Sequence, residues 1–145
     1  MRAIVCGSRD LTDADYVFRS LDVLRETMGL SHVIEGGQRR YNGWVEYEPD
    51  GGADYWAMRW AKARGLTWDT VDAEWTKLGK AAGPIRNAKM LAQYAPDVVI
   101  AFPGGSGTSD MIRRAERARI NVISIRPNGR LTESGGTEQK NSRDP

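Results

Sequence analysis

At 145 residues, 40% hydrophobic and 28% charged, the chain has the size and composition of one soluble globular domain. Its 21 Lys and Arg against 19 Asp and Glu leave a net charge of +2, too small to argue for nucleic acid, and no apolar stretch approaches the roughly 20 residues that cross a bilayer. A single cysteine, Cys6, excludes an internal disulfide, and with one histidine, His32, no His/Cys zinc cage can be assembled.

The first element is a short β-rich run, "RAIVC", ending on "GSRD". Cys6 lies inside that run and reads as a small buried hydrophobe. From Thr12 to Met28 the apolar residues Val17, Phe18, Leu21, Leu24 and Met28 fall on a helical stripe, with Thr12 or Asp13 as its cap. "HVIEGG" supplies a second strand, His32 to Glu35, closing on Gly36 and Gly37. Residues 38–51 are polar, aromatic and longer than such connections usually are, so they read as an insert. Within it "YNGWVEYE" alternates as a small hairpin would.

"ADYWAMRWAKAR", Ala53 to Arg64, is an amphipathic helix with Gly65 as its stop, and "LTWDTVD" follows as a third strand. "GPIRNAKMLAQYA" places Pro84 where a first helical turn tolerates it. "DVVIAF" and "NVISI" are strands four and five, with a helix from about Ser109 to Arg119 between them. The polar tail, 127–145, has almost no apolar residues and is expected to be disordered.

Strands alternating with helices predict an α/β domain over 1–126. The expected architecture is a Rossmann-like, doubly wound, mainly parallel five-stranded sheet of order 3-2-1-4-5, with helices on both faces. In such a sheet ligands bind where the winding reverses, here between strands one and four. The turns "GSRD" and "PGGSGT" would face each other across that crevice.

The chemistry concentrates there. Gly104, Gly105 and Gly107 remove side chains between Pro103 and Asp110, so backbone N–H groups can approach a ligand closely. The following helix adds its unpaired first-turn N–H groups and positive dipole end, while Ser106, Thr108 and Ser109 add hydroxyls. This suits a phosphate, yet the run is neither a Walker A loop nor G-x-G-x-x-G. Gly7 and Ser8 leave room at the end of strand one, and Arg9 can reach a phosphate. Arg86, Asn87 and Lys89 near a helix start are explained by an external anion or by a solvated helix face. Trp56 and Trp60 read as core or as a subunit contact. Trp75 is the better base-stacking candidate, and Arg113, Arg114, Arg117 and Arg119 read as a solvated basic face.

"CGSRD", "EGG…GGAD", "GPIRNAKM" and "FPGGSGT", in that order over Met1 to Ile125, resemble the SLOG superfamily of Rossmann-like proteins. That superfamily includes the Lonely Guy phosphoribohydrolases and the DprA/Smf recombination proteins; the nearest resemblance is to its small YspA or cpYpsA-related branch. The resemblance implies a nucleotide-type ligand. By position, Gly104, Gly105, Gly107 and Thr108 match the phosphate-binding turn, Arg86 matches the Lonely Guy arginine, and Gly7 and Arg9 match the strand-one ligand loop. Gly36, Gly37 and Asp54 belong to the glycine-rich segment, with Asp54 or Trp75 facing ribose or base. Where the Lonely Guy motif carries its glutamate, this chain has Met111. A thioether neither transfers protons nor stabilises a developing cation as a carboxylate does. Asp110 lies one residue earlier, about 100° around the helix.

The expectation is therefore a cytoplasmic, homo-oligomeric protein that senses or sequesters a nucleoside phosphate or an ADP-ribose-type molecule, without metal or cofactor. The alternative is a nucleotide phosphoribohydrolase with Arg86 and Asp110 (or Glu74) as catalytic residues. DprA-like binding of single-stranded DNA is the third reading, and the low net charge speaks against it.

Overall fold

A computed structural model describes residues 1–43 and 48–134. In chain order the elements are β1 (Arg2–Cys6), α1 (Ala14–Met28), β2 (His32–Glu35), α2 (Ala53–Ala63), β3 (Thr67–Thr70), α3 (Trp75–Leu78), α4 (Ala82–Gln93), β4 (Val98–Ala101), α5 (Ser106–Arg117), β5 (Asn121–Ile125) and β6 (Leu131–Ser134). The sheet runs β3-β2-β1-β4-β5-β6, with parallel pairing throughout the first five strands.

Strand alternation divides the core into two layers. Ala3, Val5, Val33, Val98, Ile100 and Ile123 face α1 and α2, where they meet Leu21, Leu24 and Trp60. Ile4, Ile34, Val99, Ala101 and Val122 face the other side and meet Met90, Met111 and Ala115 of α4 and α5. Helices therefore cover both faces, as the sequence predicts. Trp60 is fully buried and donates to Asp22 at 2.8 Å, while the partly buried Trp56 donates to the Leu11 carbonyl at 3.0 Å. Both indoles are thus committed within the chain.

Several boundaries differ from expectation for definable reasons. Asp13, not Thr12, caps α1 by accepting from the Tyr16 N–H at 3.0 Å. Helix α5 begins at Ser106, earlier than Ser109, because residues of a first turn need no intrahelical acceptor for their N–H groups. The short α3 and the 3-10 turn Gly79–Ala81 lead directly into α4, which starts two residues before Pro84. Within the insert Arg40 and Asp50–Gly51 close an antiparallel bridge, Arg40 N to Gly51 O at 2.9 Å and Asp50 N to Arg40 O at 2.8 Å. Of the expected hairpin, residues 44–47, beyond its Asn42–Gly43 turn, lie outside the described residues.

The largest correction concerns the tail. Leu131–Ser134 is a sixth strand, antiparallel to β5 with Ile125 opposite Leu131. Its three-residue turn closes through Gly129 N to Arg126 O at 2.8 Å, with Gly129 at φ 85° in the left-handed region. The Ser134 hydroxyl also donates to Glu116 of α5 at 3.1 Å. Backbone pairing and turn chemistry, rather than burial, hold this strand. Residues 135–145 lie outside the description. Among the described residues no helix is long and apolar enough to cross a membrane.

Candidate functional site

β1 and β4 are neighbours in the sheet, but β1 leads to α1 on one face and β4 to α5 on the other. The loops after them part at that point, and a crevice opens between. They are tied at its base: Ser8 N–H donates to the Pro103 carbonyl at 2.9 Å. Two glycines permit the approach. A Cβ on Gly7 would lie 2.7 Å from Ala53 Cβ and 2.8 Å from Phe102 Cβ; one on Gly104 would meet the Thr108 side chain and lie 3.0 Å from the Gly7 carbonyl carbon.

The crevice holds a cavity of about 340 Å³. Gly105, Ser106, Gly107 and Thr108 of the α5 start form one wall, and Gly7, Ser8 and Arg9 form another. Gly36, Asp54, Arg86 and Asn87 also line it, so eleven of the residues expected at the site meet in one place. Unlike Gly104, neither Gly105 nor Gly107 has any atom within 4 Å of a notional Cβ. The fold therefore gives no steric reason for glycine at either position, and at Gly107, which lies within the helix, glycine is unfavourable by about 0.5–1 kcal/mol relative to alanine. No side chain caps the α5 start. Its first-turn N–H groups are left to whatever enters the cavity.

Arg86 is buried on α4, yet only part of its guanidinium is used within the chain. Nη1 donates to the Gly36 carbonyl and Nε to Asn87 Oδ1 at 3.1 Å; Nη2 has no partner among the described residues. Asn87 Nδ2 in turn donates to the Gly107 carbonyl at 3.2 Å and to Asp110 Oδ2 at 3.0 Å, linking α4 to α5. An arginine fixed on one edge and open on the other is pre-organised for an anion.

Asp54, 5% exposed at the start of α2, accepts from the Gln38 N–H at 3.1 Å through Oδ2, while Oδ1 has no partner among the described residues. Burial raises its pKa to about 7, with the neighbouring Glu35 carboxylate adding to the shift and Gln38, Arg86 and Arg39 opposing it. It thus exchanges its proton near neutrality. The Cys6 thiol, beside it on the cavity wall, is pushed far up, first by burial and then by Asp54.

Glu35, fully buried at the end of β2, was not anticipated as part of the site. It accepts from Gly37 N at 2.7 Å, from Arg39 Nη1 and Nη2 at 2.9 and 3.0 Å, and from the Thr70 hydroxyl at 2.5 Å. This network shapes the Gly36–Gly37 turn from beneath. Gln38 and Asp10 also line the cavity unforeseen, as does Met111, whose buried side chain is shared with the core. A strand-ending carboxylate followed by two glycines is the only sequence signal Glu35 carries.

Asp110, expected as a catalytic candidate, lies beside the cavity on α5. Its carboxylate is outside the cavity lining and is held by Asn87, by Arg114 at 2.8 Å and by Arg113 at 3.7 Å. Partial burial works against its charged form, but hydrogen bonds from Asn87 and Arg114 outweigh it and hold the pKa below the ordinary carboxylate value. Glu74, on the exposed loop before α3, lines no part of the cavity either. Pro103 and Gly104 serve as packing and backbone anchors rather than lining, Gly37 faces an adjoining cavity, and Lys89 is exposed away from the site. Comparison with protein-family models, curated proteins and solved structures returns no match, so the resemblance to SLOG proteins rests on the four motifs alone.

Proposed function

We propose that the chain binds a nucleotide or nucleotide-derived ligand, a nucleoside phosphate or an ADP-ribose-type molecule, and acts by sensing or sequestering it. Its phosphate would rest on the N–H groups of Ser106, Gly107 and Thr108, with Arg9 and the free edge of Arg86 supplying charge. The observation that carries this reading is the pair Gly105 and Gly107: bare positions with open space beside them, at an uncapped helix start, facing a buried arginine.

The test is incubation of the protein with nucleoside monophosphates, NAD and ADP-ribose, followed by mass-resolved chromatography of retained and free fractions. Intact ligand retained by the protein, and lost from an Arg86→Met variant, is the expected result. No retention of any phosphate-bearing compound would overturn the reading.

A second reading is hydrolysis of the N-glycosidic bond, favoured by Asp54 rather than Asp110. A carboxyl with a pKa of about 7 in the cavity can hand its proton to the departing base nitrogen as the C1′–N bond breaks. Water then adds at C1′ and returns a proton to the carboxylate. Free base and ribose 5-phosphate in the same chromatogram, absent with Asp54→Asn, would establish it.

A further inference from the structure

A second cavity of about 400 Å³ adjoins the first and shares Arg9, Gly36 and Gln38 with it. Its character is different. Tyr41 and Trp75, 56% and 50% exposed, line it together with the carboxylate of Asp72. Large aromatics left half in water are the stacking surfaces on which planar heterocycles settle.

Trp75 is held rather than loose. A Cβ on Gly83 of α4 would lie 3.2 Å from the far edge of the indole, so the glycine forms its seat. Asp72 is equally placed: its Oδ1 packs against the backbone of Gly37, where any Cβ would collide with it, and Gly37 is at φ 78°. The carboxylate makes no hydrogen bond or ion pair among the described residues, although the Arg39 guanidinium lining the same chamber interacts with its charge; it offers the chamber Oδ2 and the outer side of Oδ1 as acceptors, and no donor.

We propose that this chamber is the base subsite and that it selects guanine. The inference rests on the nucleotide reading of the first cavity. Guanine presents N1–H and N2–H₂ side by side on one edge, matching the two oxygens of a carboxylate. Adenine and cytosine each set one amino group beside a ring acceptor that a carboxylate repels, and uracil flanks its single N–H with carbonyls. Trp75 supplies the stacking face, and Asp72 reads the donor edge.

The experiment measures affinities of ribose 5-phosphate, GMP and AMP for the wild-type chain and for Trp75→Ala, Asp72→Asn and Arg86→Met. GMP is expected to bind at least about tenfold more tightly than AMP, a discrimination of the size given by one well-placed polar pair. Asp72→Asn should abolish that ratio. Trp75→Ala should weaken both nucleotides about tenfold and leave ribose 5-phosphate unchanged. Both side chains are exposed, so the variants should keep the wild-type Tm. GMP binding no better than ribose 5-phosphate would overturn the subsite. AMP equal to or tighter than GMP would overturn the choice of guanine. If no compound binds, or Arg86→Met changes nothing, the nucleotide reading itself has failed.

Discussion

Asn87 donates to Asp110 across the gap between α4 and α5 at 3.0 Å, and the same carboxylate accepts from Arg114 at 2.8 Å. Asp110 therefore works as a clasp between helices. Asp110→Asn is expected to leave ligand retention within about twofold while lowering stability by roughly 0.5–1.5 kcal/mol, the range of a charge-assisted hydrogen bond partly exposed to water. Parallel binding and denaturation curves separate the two effects; retention lost at unchanged stability would return Asp110 to the site.

Gly107 gives the opposite pairing. Space beside it is open, so Gly107→Ala should leave stability unchanged or raise it by up to about 1 kcal/mol. A methyl group there stands between the helix N–H groups and a phosphate, and affinity should fall at least about tenfold. A variant that is more stable and equally good at binding would show that the ligand does not touch α5.

Asp54 should make stability depend on pH in a particular direction. Its folded pKa of about 7 lies above the unfolded value of about 3.9, so between those values the folded state holds the extra proton. Stability from this group is present below about pH 4 and is lost as pH rises to about 7. Asp54→Asn, whose amide oxygen still accepts from Gln38, should raise Tm relative to wild type at pH 8 and leave it nearly unchanged at pH 4. Equal shifts at both pH values would mean that folding does not move the Asp54 pKa.

Glu35→Ala should be among the most damaging single changes. It strands Arg39, whose side chain is only 16% exposed, together with the Gly37 N–H and the Thr70 hydroxyl. Loss of one partner from such a buried pair costs about 3–5 kcal/mol. Urea denaturation measures it; a loss below about 1 kcal/mol would mean that water replaces the carboxylate easily.

How much of this was legible beforehand follows from which forces write themselves into local pattern. Ile4, Ile34, Val99 and Val122 belong to apolar runs bounded by glycine or polar residues, and such runs mark β1, β2, β4 and β5, whereas β3 is polar and mostly exposed. The glycine-rich turn was legible for the same local reason, because Gly104 to Thr108 are consecutive. Leu131 is the only large apolar residue of β6, whose pairing is a property of backbone and turn, so composition concealed it. Glu35 and Asp54 acquire their character from Arg39, Thr70, Gln38 and Arg86, which only the tertiary fold brings near. Trp56 and Trp60, four apart on one helix, looked equally suited to a partner's surface and to the core. Asp22 and Leu11 decided between those roles.

The β5–β6 hairpin carries a consequence beyond its own residues. β5 is built from Val122, Ile123 and Ile125, all buried, and its outer row of N–H and C=O groups is occupied by Leu131–Ser134. A chain ending at Arg126 would keep every element of the crevice but expose that row as a template for strands of other molecules. The hairpin is thus a selvedge, the woven border that stops a fabric from unravelling or catching on its neighbours. Its polar sequence, carrying Arg130 and Glu133 on the new outer edge, is what such a border requires.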